Sequence, residues 1–152
     1  MDVVAVYGTL RRGERNHGLM AGATFLGDAW IAGALHEMPV APHRRYAYPA
    51  LLADDDGRVS VECFRLADAY QLERLDALEA YDPADEERSE YVRRLVAVHD
   101  GPVHEAWAYW YAADPAALGP RIADGIWRAP DVSRGGTAGR RGGTSGRCRG
   151  RR

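Results

Sequence analysis

Residues 3–6, VVAV, form an unbroken apolar run that gives way at once to Tyr7-Gly8-Thr9-Leu10 and a polar, basic stretch ending at His17. An apolar run without alternation is the pattern of a strand buried on both faces, and Gly8 predicts a tight turn where the chain leaves the core. Residues 30–35 and 48–53 read as further strands, separated by the Pro- and His-containing loop EMPVAPHRRYA. Residues 58–66 alternate, with Val59, Val61 and Cys63 on one face and Ser60, Glu62, Phe64 and Leu66 on the other. The period then becomes helical, from a capping Asp68 through about Ala80. After a polar loop, residues 91–99 read as a strand, and Gly101-Pro102 turns it into residues 103–111, where Val103, Trp107, Tyr109 and Tyr111 share a face. No internal repeat is visible. Several strands around one or two helices predict an α+β domain, and the excess of strands predicts a sheet closing toward a barrel.

The helical segment carries a carboxylate on its apolar side. With Leu72 at zero on a 3.6-residue wheel, Leu75 falls at about 300°, Leu78 at about 240° and Glu79 at about 340°, whereas Glu73 at about 100° and Arg74 at about 200° are on the polar side. Asp76, at about 40°, lies beside the same stripe. A carboxylate withdrawn from water is harder to ionise, which raises its pKa toward the range where it can take and return a proton near neutral pH. Glu79 is therefore a candidate general acid/base; the alternative is a helix-end Glu that frays into solvent or pairs with a nearby Arg.

The turn after the first strand offers a second component. Successive backbone N–H groups of Gly8, Thr9 and Leu10 suit a carboxylate or a developing oxyanion, with Arg11 and Arg12 expected to add positive charge; the alternative is a plain connection.

Composition removes several chemistries. All 20 basic residues are Arg, so no lysine is present to form a Schiff base or complete a P-loop. His36 and His43 lack the spacing of a zinc helix, there is no G-x-S-x-G elbow, and neither Cys63 nor Cys148 sits in a reactive, disulfide or zinc motif. Metal binding is not expected, and Cys63 reads as a small buried hydrophobe. With no signal peptide or long apolar run, the expected compartment is the cytoplasm.

Residues 133–152 hold seven Arg, seven Gly and no acid, which leaves 13 Arg against 22 acidic residues, a net charge of −9, on residues 1–132. The boundaries expected are one domain over 1–132 and a disordered tail over 133–152 that touches nucleic acid only non-specifically. In residues 82–90, DPADEERSE, the acidic run lies between Glu79 and Tyr91, a placement that favours a cationic amine leaving group or is simply a solvated surface.

YGTLRRGERNH (7–17) resembles the N-terminal signature of the gamma-glutamylcyclotransferase family, particularly its gamma-glutamylamine cyclotransferase and AIG2-like branches. The resemblance continues through YPAL (48–51), LDALEAY (75–81), SEYVR (89–93) and IADGIWR (122–128). It implies a small mixed β-barrel with flanking helices. It also implies a cofactor-free reaction in which the α-amine of a γ-glutamyl amide attacks its own γ-carbonyl, releasing 5-oxoproline and an amine or amino acid. By the same resemblance Glu79 is the proton-transfer carboxylate and Asp76 is not. Tyr7, Gly8, Thr9 and Leu10 hold the substrate, and Tyr91 lines the pocket, its alternative being an aromatic core residue. Where the family usually has Gly-Glu this chain has Val61-Glu62, and the added bulk is expected to narrow the pocket. The rival reading is a non-catalytic small-metabolite or nucleic-acid-binding module on the same fold.

Overall fold

The computed structural model describes residues 2–42 and 45–130; the expectations for His43, Cys148 and residues 133–152 lie outside them. In chain order the strands and helix are β1 (Val3–Val6), β2 (Thr24–Ala32), β3 (Ala34–Met38), β4 (Tyr48–Leu52), β5 (Arg58–Arg65), α1 (Ala69–Leu78), β6 (Tyr91–Ala97) and β7 (Glu105–Tyr111). β1 is the centre of a five-stranded mixed sheet of order β2-β5-β1-β7-β6, antiparallel to β5 and parallel to β7. β3 and β4 form a separate antiparallel pair in which Leu35 faces Leu51 and Glu37 faces Pro49.

Both faces of β1 are covered, as its unbroken apolar run requires. Val4 and Val6 join a core with Phe64, Leu75 and Tyr109, while Ala5 joins a second core with Val61, Cys63 and Ala108. The alternation read in β5 holds: Val59, Val61 and Cys63 belong to the second core, and Phe64 and Leu66 to the first. β7 is likewise used on both faces, with Trp107, Tyr109 and Tyr111 against the first core. Val103 does not share that face, because it precedes β7 and packs against the second core.

Two further expectations are corrected. Residues 30–35 are not one strand, since the chain changes sheet at Gly33, passing from β2 to β3. A Cβ at Gly33 would lie 2.7 Å from Leu51 Cδ1 and 3.2 Å from the Leu52 carbonyl oxygen, so glycine fits the close approach at the crossover without displacing the buried Leu51 side chain. The sheet is not a closed barrel either. Its two edges meet at one point among the described residues, where Trp30 of β2 and His99, just beyond β6, exchange N–H···O bonds of 3.0 and 2.9 Å. β6 ends at Ala97, so no ladder continues along the gap. The α+β class stands.

The helix is shorter than the periodicity suggested. Asp68 caps it, its Oδ1 accepting the Gln71 N–H at 2.8 Å. Gln71 is itself fully buried and satisfied, accepting from the Ala67 N–H and donating to the carbonyls of Leu19 and Ala21, which ties α1 to the loop after β1. At the other end Ala80 takes a positive φ of 50°, the Tyr81 N–H bonds the Asp76 carbonyl at 2.9 Å and the Ala80 N–H bonds the Ala77 carbonyl at 3.2 Å. These are the two bonds of a Schellman ending, with alanine in the position that favours glycine. Ala80→Gly is therefore expected to stabilise the fold by about 0.5–1 kcal/mol, read as a raised midpoint in urea. The Ala80 carbonyl also accepts the Glu90 N–H at 3.1 Å, which brings the end of α1 beside the start of β6.

Candidate active site

That junction forms one wall of a cavity of about 320 Å³. The end of β1 and the following loop supply Tyr7, Gly8, Thr9 and Leu10; the end of α1 supplies Leu78 and Glu79; β6 and the residue before it supply Tyr91 and Glu90. The segment entering β4 adds Arg45, Tyr46, Tyr48 and Pro49, and β7 adds Tyr109. All six residues singled out in the sequence as site candidates thus line one cavity. Arg45, Tyr46, Glu90 and Tyr109 were not singled out; each reaches the cavity through long-range folding that leaves no local signal.

Glu79 is the C-cap of α1, one residue past its last turn, and is half-buried at the cavity wall. Burial pushes its carboxyl up to about 8, and the charges of Glu90 and then Asp76 add to the rise. Among the described residues it has no ion-pair partner. Asp76, the rival carboxylate, is in a different situation. Arg93 clamps it with Nε 3.0 Å from Oδ1 and Nη2 3.3 Å from Oδ2, and the Tyr109 hydroxyl donates to Oδ1 at 2.7 Å. It is buried and does not line the cavity. Asp76→Asn is expected to lower stability by about 3 kcal/mol, because it leaves the Arg93 guanidinium unmatched in a largely buried setting; equilibrium urea unfolding measures this.

Tyr7 and Tyr91 are held neutral. Burial raises Tyr7 well above its ordinary range, with the Glu79 charge adding and a Leu51 backbone hydrogen bond opposing; burial and then the charges of Tyr7 and Glu79 do the same for Tyr91. Tyr7 donates its hydroxyl to the Tyr109 carbonyl at 2.5 Å, and Tyr91 donates to the Pro49 carbonyl at 2.8 Å. Each has spent its single proton on the backbone, so each offers a ligand only oxygen lone pairs.

The loop after β1 is braced from outside the cavity. Asn16 donates to the Thr9 hydroxyl at 2.9 Å and to the Tyr46 hydroxyl at 3.1 Å, and its N–H bonds the Thr9 carbonyl at 2.8 Å. The Arg11 N–H bonds the Gly8 carbonyl at 3.1 Å. Among the described residues no protein acceptor faces the N–H groups of Gly8, Thr9 and Leu10.

Arg11 and Arg12 do not add charge to the cavity, contrary to expectation. Arg11 donates to the carbonyl of Trp127 and approaches Glu14 at 3.7 Å, and Arg12 is fixed by Glu62, whose Oε1 accepts the Arg12 N–H at 2.8 Å and whose Oε2 accepts from its guanidinium at 3.3 Å. Both arginines are scaffold for the loop, and among the described residues the cation at the cavity is Arg45. Val61 is also corrected: it is 1% exposed in the second core and does not line the cavity, so its bulk does not narrow it. Cys63 is fully buried, its thiol pushed up to about 11 chiefly by burial, as a small core hydrophobe should be.

The model of the family "Gamma-glutamyl cyclotransferase, AIG2-like" matches residues 4–129, nearly all of the described chain. The chain belongs to this family. A relative from Niallia circulans, the gamma-L-glutamyl-butirosin B gamma-glutamyl cyclotransferase, is 36% identical over 116 residues, covering 75% of this chain and 69% of its own. Among solved structures, a Pyrococcus horikoshii protein superposes with a TM-score of 0.61 at 25% identity, over 83% of this chain and 89% of its own. An AIG2-like protein from Mus musculus gives 0.55 at 25% identity, over 76% and 81%. This cyclotransferase-family protein is thus an enzyme of the gamma-glutamylcyclotransferase type with the fold of its relatives. Among the described residues no helix is long and apolar enough to cross a membrane.

Proposed function

We propose that the protein cleaves a γ-glutamyl amide by intramolecular attack, with Glu79 moving the protons and the loop of Tyr7, Gly8, Thr9 and Leu10 holding the glutamyl group. The observation that carries this reading is a carboxylate pushed up to about 8 in the same cavity as three backbone N–H groups, the carboxylate without an ion-pair partner and the N–H groups without protein acceptors among the described residues.

The substrate's α-ammonium gives a proton to ionised Glu79. The freed amine attacks the γ-carbonyl carbon, the C–N bond closes a five-membered ring, and the carbonyl oxygen takes the charge. Backbone N–H groups aimed at that oxygen stabilise it without reorganising, since they are fixed before the substrate arrives. Collapse breaks the bond to the departing nitrogen as Glu79 returns its proton to that nitrogen; the Glu79 carboxylate so regenerated takes the extra proton left on the ring nitrogen and passes it to the freed amine, and 5-oxoproline and an ammonium leave. The nucleophile is tethered to its target, so the enzyme supplies conformation and proton transfer and no nucleophile of its own. Lone pairs on Tyr7 and Tyr91 suit the entering ammonium. The compartment proposed is the cytoplasm, in keeping with a free thiol at Cys63.

Assaying 5-oxoproline release across γ-glutamyl amides of amines and amino acids tests the reading, and no release from any member would overturn it. The pH profile adds a second check. Glu79 must be ionised to take the first proton, so kcat/KM for a γ-glutamyl amide is expected to rise with pH and level off above about 8. A limb that persists unchanged in Glu79→Gln would mean that Glu79 does not act as the base.

A further inference from the structure

We propose that Glu90, braced by Tyr48 in the cavity wall, receives a positive charge on the departing half of the substrate, so that the enzyme favours γ-glutamyl amides of amines carrying a second ammonium. This rests on the cyclotransferase reading of the same cavity. Glu90 is held at three points: its N–H donates to the Ala80 carbonyl, its carbonyl accepts the Ala112 N–H at 2.8 Å, and its Oε1 accepts the Tyr48 hydroxyl. Of the acidic stretch 82–90 it alone lines the cavity, while its neighbours Asp85 and Glu86 are matched to Arg88 and Arg94. Glu90 has no ion pair among the described residues, and Arg45, the cation at the same cavity, is exposed and outside ion-pair distance of it. A fixed carboxylate facing the cavity with no ion-pair partner among the described residues is matched when the ligand brings a cation.

The ligand's cation is not the α-ammonium. That group must lose a proton to attack, and a carboxylate clamped on it would stabilise the protonated form and slow the reaction. A cation on the leaving half has no such conflict, and it lets Glu79 and Glu90, two neighbouring carboxylates, serve the two halves of one substrate.

The test compares γ-glutamyl-4-aminobutylamide with γ-glutamyl-n-pentylamide, alike in length and differing in the terminal ammonium. For the wild type, kcat/KM is expected to favour the cationic amide by about tenfold or more, through KM, the size of one partly buried charge pair. In Glu90→Gln that preference should fall to within about threefold of unity. Reading the ratio within each enzyme cancels any change in Glu79 that affects both amides alike. Glu90→Asp, which keeps the charge but withdraws it, should retain an intermediate ratio and replaces Glu90→Gln if that variant does not fold. A wild-type ratio near one, or a ratio unchanged in the variants, would overturn the assignment of Glu90. If neither amide yields 5-oxoproline, the cyclotransferase reading fails separately, and calorimetric binding of the two amides still decides whether Glu90 selects the ammonium.

Discussion

Glu79→Gln is expected to lower turnover of a γ-glutamyl amide by about a thousandfold while leaving the fold intact, the size of effect general acid–base groups commonly contribute. Glutamine keeps the shape at the end of α1 and cannot accept the ammonium's proton or return it to the leaving nitrogen. KM should change much less, because the loop of residues 8–10 and the tyrosine oxygens remain, and a loss in kcat with KM held marks an interaction made in the transition state. Asp76→Asn, by contrast, should act mainly on stability, since Asp76 is committed to Arg93 and Tyr109.

The same substitution has a stability consequence of opposite sign. The folded-state pKa of Glu79 is raised to about 8 from an unfolded value of 4.5. Between those values the native protein therefore binds more protons than the unfolded chain, and stability falls as pH climbs from about 4.5 to about 8. Glu79→Gln removes that penalty, so the variant should be more stable than wild type at pH 8, on the order of 3 kcal/mol, with the difference vanishing near pH 4. A variant inactive because it unfolds would show the reverse, and one that keeps near wild-type turnover would remove Glu79 from the mechanism.

Sequence and structure part company where distant segments meet. β1 was legible because burial on both faces leaves its mark in four consecutive apolar residues. Glu79 was legible through the wheel, although the helix stops one residue short of it; a Schellman ending at Ala80 keeps it near its helical direction. The strand break at Gly33 is hidden in the sequence, since IAGAL is apolar throughout and the close approach of Leu51 and Leu52 that favours glycine there is long-range. The directions of Arg11 and Arg12 were equally hidden. They depend on Trp127 and Glu62, and Arg-Arg after a turn looks the same whether it faces a ligand or a scaffold carboxylate. The acidic run 82–90 suggests either a preference for a cationic leaving group or a solvated surface without marking any one residue, and the bonds of Glu90 to Ala80, Ala112 and Tyr48 are what place it beside Glu79 at the cavity.

Gly8→Val is expected to abolish measurable kcat/KM, for a reason sharper than loss of turn flexibility. Gly8 does not take a positive φ; what it requires is space. A Cβ at position 8 would lie 2.7 Å from Pro49 Cγ and 2.8 Å from its Cδ, closer than real side chains sit. Pro49 cannot move aside, because its ring is rigid, it pairs with Glu37 in the β3–β4 ladder, and its carbonyl holds the Tyr91 hydroxyl. The loop must move instead, and the N–H groups of Gly8, Thr9 and Leu10 move with it. A displacement of about 1 Å in a positioning group commonly costs on the order of a hundredfold in rate. Gly8→Ala brings the same first clash with less bulk, so it should fold more readily and still lose about a hundredfold in kcat/KM. Circular dichroism and the melting temperature separate this from unfolding. A folded Gly8→Ala enzyme with unchanged kcat and KM would mean that the loop after β1 only connects strands, and that the oxyanion is stabilised elsewhere in the cavity.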